Sequence, residues 1–522
     1  MSTIPFENSP TIGPISCGQA NVEAVPSSVI GEPLYGAAQV QALDRAAITR
    51  YHIPGAVLME RAGASAYREM LARWPSAQDV HVVCGPGNNG GDGFVVARLA
   101  ALDGLNVSVH TVGALDRLSA EAKAMYAQMR TAGVTPLEVL PGFTQQAFEG
   151  AQVIVDALFG IGLTRTVSGL FRHAVDAINA SPAPVIALDI PSGLHADTGA
   201  RLGAAVEATL VVTYIGRKLG LLTGDGPQCC AEVVFDDLAL PRALFEEVHE
   251  LAQRIDQRVL TGLSPRGRGS HKGSHGHVLV VGGDVGYSGA VRLASEAALR
   301  SGSGLVSVAT RASHAPYVNI GRPELMVRGV ESVDAFESVY ERASVVAIGP
   351  GLGTEEWGQM MLAQVLALTC PLIIDADALN LLARRPSSRD DWVLTPHPGE
   401  AGRLLGISTA QVQLDRFAAA QEIVTRYGGV CVLKGAGSII AHAHGPPAVC
   451  TAGNPGLASA GTGDVLTGVI ASFRAQGWSA YDAACLGVCA HAWAGDLAAI
   501  KGERGMLASD VIAQLRSVVN IA

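Results

Sequence analysis

The sequence predicts an α/β protein of two domains, each built on a mostly parallel sheet. Three observations carry this. Short runs rich in β-branched residues alternate with longer amphipathic stretches, as chained βαβ units require. Each of those runs is nearly all apolar instead of alternating, the pattern of strands covered on both faces. And 522 residues exceed the roughly 250 to 300 at which one hydrophobic core stops growing.

Taken in order, residues 1–34 read as a loose Pro/Ser-rich tail. The first basic residue is Arg45, so no secretory or Arg-rich transit segment is expected, and no run reaches the 18 or so apolar residues of a membrane span. A cytoplasmic protein is the expectation. Helical patterning starts in "AAQVQALDRAAITRY". Strands are expected at 79–84, 106–112, 151–156, 184–189, 208–214 and 231–235, completing a Rossmann-like, doubly wound domain over 35–245. A polar stretch at 243–258 has helical character, with a linker placed at 246–254. A second series of strands starts at "HVLVVGG" (277–283) and runs through "GLVSVAT", "SVVAIGPG", "PLIIDAD" and "WVLTPH" to "GVCVLKGAGSIIAHA". That last segment, followed by "HGPPAVCTAG", predicts an antiparallel hairpin at a sheet edge. Helices near 463–476, 479–499 and 507–519 close a second domain over 255–522.

Composition narrows the function. Apolar residues make up 48% and charged residues 16%, with a net charge of −10, which excludes a basic nucleic-acid footprint. Nine cysteines contain no C-x-x-C pair and read as buried reduced thiols. Small-molecule substrates, no nucleic acid, no membrane and a homo-oligomer are the expected partners.

"VVCGPGNNGGDGFVVARLA" (82–100) is the first informative stretch. Gly85, Gly87 and Gly90 satisfy G-x-G-x-x-G between a strand and a helix. The acid that a dinucleotide fingerprint wants some 20 residues later is instead His110, and Asp92 at the helix entrance would compete with a pyrophosphate for the positive end of the dipole. A plain glycine turn capped by Asn and Asp is the bland alternative. The other is a backbone-rich pocket whose Asn88, Asn89 and Asp92 oxygens suit a hydroxylated ligand or a weakly hydrated cation. Asp156 and Asp189 close two further strands, at the sheet edge where open α/β folds bind ligands. A core aspartate would need several hydrogen-bond partners; a cleft aspartate has a cation or a substrate proton to handle.

"GAVLMERAG", "GPGNNGGDG", "VDALFGIG" and "DIPSG", in that order, resemble the NAD(P)H-hydrate epimerase domain over about residues 35–245. The resemblance implies as substrate hydrated NADH or NADPH, with water added at C6 of the nicotinamide ring, and interconversion of the R and S epimers. It implies a K⁺ site at Asn89, Asp156 and Ser192. It implies substrate contacts from Asn88, Asn89, Gly90, Gly91 and Asp92, from Gly160, Ile161, Gly162, Leu163, Thr164, Arg165 and Thr166, and from Asp189. "TYIGRKLGLLTG" departs from the family's Lys-Pro-Gly pattern by carrying Leu219, but Lys218 still fits. Lysine is scarce in this chain, and Lys218 joins Asp189 as a catalytic candidate.

In the second domain, "NPGLASAGTGDVLTGVIASF" places Gly461, Thr462 and Gly463 before a strong helical pattern. Their successive N–H groups form an anion nest at a helix N-terminus, with Asp464 beside it. A capping aspartate is the bland alternative, and no Walker motif occurs. The "GTGD" nest resembles that of ribokinase-like folds, which implies that Asp464 takes the proton from a hydroxyl attacking a nucleotide phosphate. "VLKGAGSII" sets Lys434 among glycines at a strand end, a cradle for phosphates; "TPHPGE" sets His397 and Glu400 at another. With "GPGLG" and "DADALN", these motifs are similar to the ADP-dependent NAD(P)H-hydrate dehydratases over about 255–520. The resemblance implies a hydrate site of Ala290, Gly353, His397 and Asp464, and nucleotide contacts from Lys434, Gly435, Ala436, Gly437 and Ser438 with Gly461, Thr462 and Gly463. Hydroxide is a poor leaving group; phosphorylated by ADP or ATP with Mg²⁺, the C6 oxygen departs as phosphate and the ring is restored. Together the halves resemble the bifunctional NAD(P)H-hydrate repair enzymes, which epimerise both forms and dehydrate the S form. The alternative is a ribokinase-like small-molecule kinase with a non-catalytic N-terminal binding domain.

Overall fold

The computed structural model describes residues 31–520; the tail lies outside them except for its last few positions. Two compact units emerge, one of Glu32–Arg254 with Gln413–Arg416, the other of Ile255–Val412 with Phe417 onward. Each is an α/β body with its own sheet.

The first unit's sheet comprises β1 (Asp79–Cys84), β2 (Asn106–Thr111), β3 (Leu137–Glu138), β4 (Val153–Ala157), β5 (Val185–Leu188), β6 (Leu210–Tyr214) and β7 (Val233–Asp236). They pair in the order β3-β2-β1-β4-β5-β6-β7, all parallel. Val82, Val155, Ala187 and Val212 are wholly buried, the double coverage that apolar runs of this kind demand. Helices α1 (Ala37–Thr49), α2 (Gly55–Arg73) and α3 (Asn88–Leu102) belong to one apolar layer with the sheet, through Leu43, Met59, Phe94 and Leu188 among others. Strand order reverses between β1 and β4, so the loops leaving these strands diverge and open a crevice between them.

The second unit contains β8 (His277–Val281), β9 (Leu305–Thr310), β10 (Met326–Gly329), β11 (Val345–Ile348), β12 (Leu372–Ile374), β13 (Trp392–Leu394), β14 (Val430–Leu433), β15 (Ser438–His442) and β16 (Ala448–Cys450). They run in the order β16-β15-β14-β13-β12-β11-β8-β9-β10. Pairing is parallel from β10 to β14, and β15 and β16 fold back antiparallel, so the expected hairpin is present. Here the switch falls between β8 and β11. Helix α4 (Pro398–Leu405) follows β13, and α5 (Thr462–Ala475) and α6 (Ala480–Ala499) follow the hairpin.

Three expectations need correction. The helical reading of 243–258 fails: a single turn at Arg242–Phe245 gives way to a strand at Ala252–Ile255, with Ala252 and Ile255 buried and the residues between them half-buried. That strand pairs antiparallel with Glu32–Leu34, so the tail ends before Glu32 and part of the linker is strand; partner-strand hydrogen bonds override a helical polar pattern. The "NNGGD" segment is not a loop, because α3 starts at Asn88 and Asp92 lies past its first turn. Finally, no side chain caps α3, so the capped-turn alternative also fails. The eight described cysteines are buried and, among the described residues, none is in a disulfide; among the same residues no helix is long and apolar enough to cross a membrane.

Candidate active sites at the carboxyl ends of the two sheets

Two glycines let β1, β4 and α3 meet at the first unit's switch point. A Cβ on Gly85 would lie 1.9 Å from the Leu158 carbonyl oxygen, and one on Gly90 2.0 Å from that of Gly85. Above this close contact opens a cleft of about 640 Å³. Its lining includes Asn88, Asn89 and Asp92 from α3, Gly160 to Arg165 from the loop after β4, and Asp189. Gly90, Gly91 and Thr166 are not on that lining: the two glycines are buried in packing, and the Thr166 methyl lies against Gly203.

Asp189, just past β5, sits at φ 66°, strained for a non-glycine residue. Its Oδ1 pairs with Lys218 Nζ and accepts from the Tyr214 N–H at 3.2 Å. Its Oδ2 faces Gly160, 3.6 Å from where a Cβ would stand there, with the Asn89 Cβ equally near that point. One carboxylate oxygen is therefore anchored and the other is turned to the cleft. Lys218 is wholly buried and also donates to the Tyr214 carbonyl at 2.7 Å; burial lowers its pKa against the pull of Asp189.

Asp156 is not a cleft residue. It is fully buried, and its carboxylate accepts from Ser192 Oγ at 2.6 Å, Ser192 N at 2.8 Å and Leu158 N at 3.2 Å. These are the partners a core aspartate needs, yet burial still pushes its pKa up to about 6. Ser192 Oγ accepts from the Phe159 N–H at 2.8 Å, and Asn89 Nδ2 donates to the Phe159 carbonyl at 3.0 Å. Asn89, Asp156 and Ser192 thus meet around Phe159. Among the described residues Asn89 Oδ1 is buried with no hydrogen-bond partner, an oxygen left open to a cation.

Sequence reasoning missed Asp44 on α1, Glu121 and Tyr214, all lining the cleft. Burial, then Asp189 and Glu121, raise Asp44. Asp44 sits in an ordinary amphipathic helix pattern and carries no local signal; Tyr214 reads as one more aromatic strand residue. His110, where a dinucleotide site wants an acid, is buried and stacked on His81.

In the second unit, Gly461 takes φ 87° as the residue before α5, and Asp464 falls in that helix's first turn. The free N–H groups of this turn and the dipole favour an anion at that end. Lys434 approaches the nest, its Nζ 3.5 Å from where a Gly463 Cβ would stand. It bonds Asp375 Oδ1 at 2.8 Å and lies 3.8 Å from Glu400 Oε2; these carboxylates raise its pKa despite burial. Asp375 also accepts from Thr467 Oγ1 at 2.6 Å, and with Lys434 this holds its carboxyl below the usual range although burial pushes the other way. Asp464 is different: burial, then the charge of Asp375, push it up to about 7 against the pull of Lys434.

Ala290 lies in the helix that follows β8, and Gly353 in the loop that follows β11. The Gly353 N–H donates to Asp377 Oδ2 at 2.9 Å, and the Ala290 Cβ lies 3.2 Å from the Cβ position of Gly351. His397 caps α4 with Nδ1, which accepts from Gly399 N at 2.9 Å and Glu400 N at 3.3 Å, while Nε2 lies 3.3 Å from Glu400 Oε1 on a half-exposed ring. Of the Lys434–Ser438 turn, Gly435 and Ala436 are exposed, and Ser438 Oγ donates to the Gly435 carbonyl at 3.1 Å. Sequence reasoning also missed Asp375, although "DADALN" follows a strand as Asp189 does, a signal that could have found it.

Comparison with known proteins agrees with this division. Residues 278–517 match a family model described as NAD(P)H-hydrate dehydratase, and residues 55–220 one described as YjeF-related protein N-terminus. The bifunctional NAD(P)H-hydrate repair enzyme Nnr of Coxiella burnetii is 47% identical over 490 residues, covering 93% of this chain and 99% of that protein. That of Escherichia coli K12 is 44% identical, covering 89% of each.

Proposed function

Since the chain belongs to the bifunctional NAD(P)H-hydrate repair enzymes, with an epimerase domain followed by a dehydratase domain, we propose which of its residues perform each half-reaction. In the first unit, the hydrated nicotinamide enters the cleft between α3 and the 160–165 loop. Asp189 handles proton transfer at the hydrate through Oδ2, while Lys218 and the Tyr214 N–H hold Oδ1 in place. Asn89 Oδ1, with Asp156 and Ser192, would hold K⁺, supplying charge that fixes the Phe159–Ile161 backbone against the substrate.

In the second unit Asp464 takes the proton of the S-hydrate's C6 hydroxyl as that oxygen attacks the terminal phosphate of ADP or ATP. A carboxylate pushed up to about 7 is matched to this task, because a general base works best with a pKa near the operating pH. The Gly461–Gly463 amides receive charge developing on the transferred phosphoryl group, and removing one such donor typically costs about 3 to 4 kcal/mol. Lys434, fixed by Asp375, faces the same phosphates; Gly435 to Ser438 and Thr462 complete the cradle. Mg²⁺ would come bound to the nucleotide. His397, Ala290 and Gly353 line the hydrate side. With phosphate as leaving group, the ring nitrogen's lone pair expels it and NAD(P)H is restored. The substrates are damaged forms of intracellular redox cofactors, which assigns the work to the cytoplasm.

The observation that carries this reading is the pairing of a proton-accepting Asp464 with an anion nest and a fixed lysine. Asp464→Asn tests it: dehydration of S-hydrate falls about 10² to 10⁴-fold while epimerisation persists. Near-normal dehydration by that variant would remove Asp464 from the mechanism.

A further inference from the structure

The first unit's cleft contains proton-carrying groups that Asp189 and Lys218 leave unused. Tyr214 is 4% exposed and lines the cleft, and among the described residues its phenol oxygen is buried with no hydrogen-bond partner. A native fold rarely leaves a buried hydroxyl unsatisfied without a use for it. Asp92 lines the same cleft from α3, and among the described residues its carboxyl makes no hydrogen bond. It contrasts with Asp189, which is anchored by Lys218 and a backbone N–H.

The electrostatic surroundings of the two carboxyls differ accordingly. Burial, then the nearby charges of Asp189 and Asp44, raise Asp92 well above the ordinary carboxyl range and so favour its protonated form, while Asp189 is paired with the Lys218 ammonium. Burial, then Asp92 and Asp189, raise the Tyr214 phenol well above its usual value, so it stays protonated within the field of both carboxyls. Two carboxyls in one cleft with surroundings this different are the arrangement in which one serves as acid and the other as base.

Resting on the epimerase reading above, we propose that Asp92 and Asp189 form the acid–base pair that inverts C6, with the Tyr214 hydroxyl returning the proton between them. In the R-to-S direction the ring-nitrogen lone pair forms a C6=N1 bond as the C6–O bond breaks. The departing oxygen keeps the electrons of that bond, takes the Asp92 proton and leaves as water. A water on the other face adds to C6, the π pair returns to nitrogen, and Asp189 takes one proton of that water. Asp92 is now ionised and Asp189 protonated. Asp189 gives its proton to the Tyr214 oxygen as the Tyr214 proton passes to Asp92, which resets the site. The S-to-R direction is the reverse sequence, with Asp189 as acid.

The test uses the full chain on R-hydrate in oxygen-18-labelled water without nucleotide, so that the dehydratase is idle. Wild type incorporates one label for each inversion. Asp92→Asn lowers kcat about 10² to 10⁴-fold with little change in KM, while its ADP-dependent dehydration of S-hydrate remains as a control on folding. Tyr214→Phe completes a first turnover at a near-wild-type rate in rapid quench and then slows, because only the reset is impaired. The pair is overturned by inversion without label or by near-normal turnover of Asp92→Asn. The relay is overturned if Tyr214→Phe is unaffected or loses first and later turnovers alike. A wild-type chain that leaves R-hydrate unchanged would overturn the epimerase reading itself.

Discussion

At the residue scale, function follows from which carboxylates are allowed to keep a charge. Asp464 is pushed up to about 7 by burial and by Asp375, and only its ionised form accepts a proton. The kcat/KM for dehydration should therefore rise with pH up to about 7 and level off above it; a flat profile between pH 5 and 8 would contradict a titrating base. Asp156, raised to about 6 by burial, works on stability with the opposite sign. A carboxyl whose folded pKa exceeds its unfolded value favours the fold when protonated, and loses that contribution as pH rises through its folded pKa. The first unit should then lose stability between pH 4 and about 6, and K⁺ should restore it above that range by favouring the ionised carboxylate. Melting curves with K⁺ and with Li⁺ check this: a K⁺-specific rise in Tm at pH 8, absent at pH 4 and absent from Asp156→Asn, is expected. Equal curves in both salts would leave Asp156 a plain core aspartate. The catalytic candidates Asp189, Lys218 and Asp464 stood out in the sequence because strand ends and glycine nests are local patterns. Asp44 and Tyr214 did not, because their place in the cleft comes from packing between segments far apart in the chain.

At the scale of elements, strands buried on both faces were readable as unbroken apolar runs, and the β14–β15 hairpin as two such runs around "KGAG". Ala252–Ile255 was not, because a short strand in a Glu-rich stretch has the same polar spacing as a surface helix. The glycines of "GPGNNGGDG" had a reason that the sequence only hinted at. Gly90 lets α3 press its first turn against the Gly85 carbonyl, 2.0 Å from where a Cβ would stand. Gly90→Ala must push that turn away from β1 and carries Asn89 and Asp92 with it. Overpacking of this kind costs about 1 to 3 kcal/mol, so a lower Tm for the first unit is expected together with loss of epimerisation and intact dehydration. An active, equally stable Gly90→Ala protein would show that the approach of α3 to β1 is not what forms the cleft.

At the scale of the whole molecule, each unit has its own sheet and its own apolar clusters, and each has its candidate residues at the carboxyl edge of that sheet. Residues 255–522 expressed alone should fold and dehydrate S-hydrate, with circular dichroism and turnover as the readouts; an unfolded spectrum would contradict independent bodies. The central claim is a division of labour, with Asp189 serving the R epimer and Asp464 all restoration of the ring. The most direct measurement gives the full chain a mixture of R and S hydrates with excess ADP and follows NAD(P)H to completion. Wild type should convert the whole mixture, Asp189→Asn should stop once the S fraction is consumed, apart from slow uncatalysed epimerisation, and Asp464→Asn should form almost none. Complete, rapid conversion by Asp189→Asn, or substantial conversion by Asp464→Asn, would contradict the assignment.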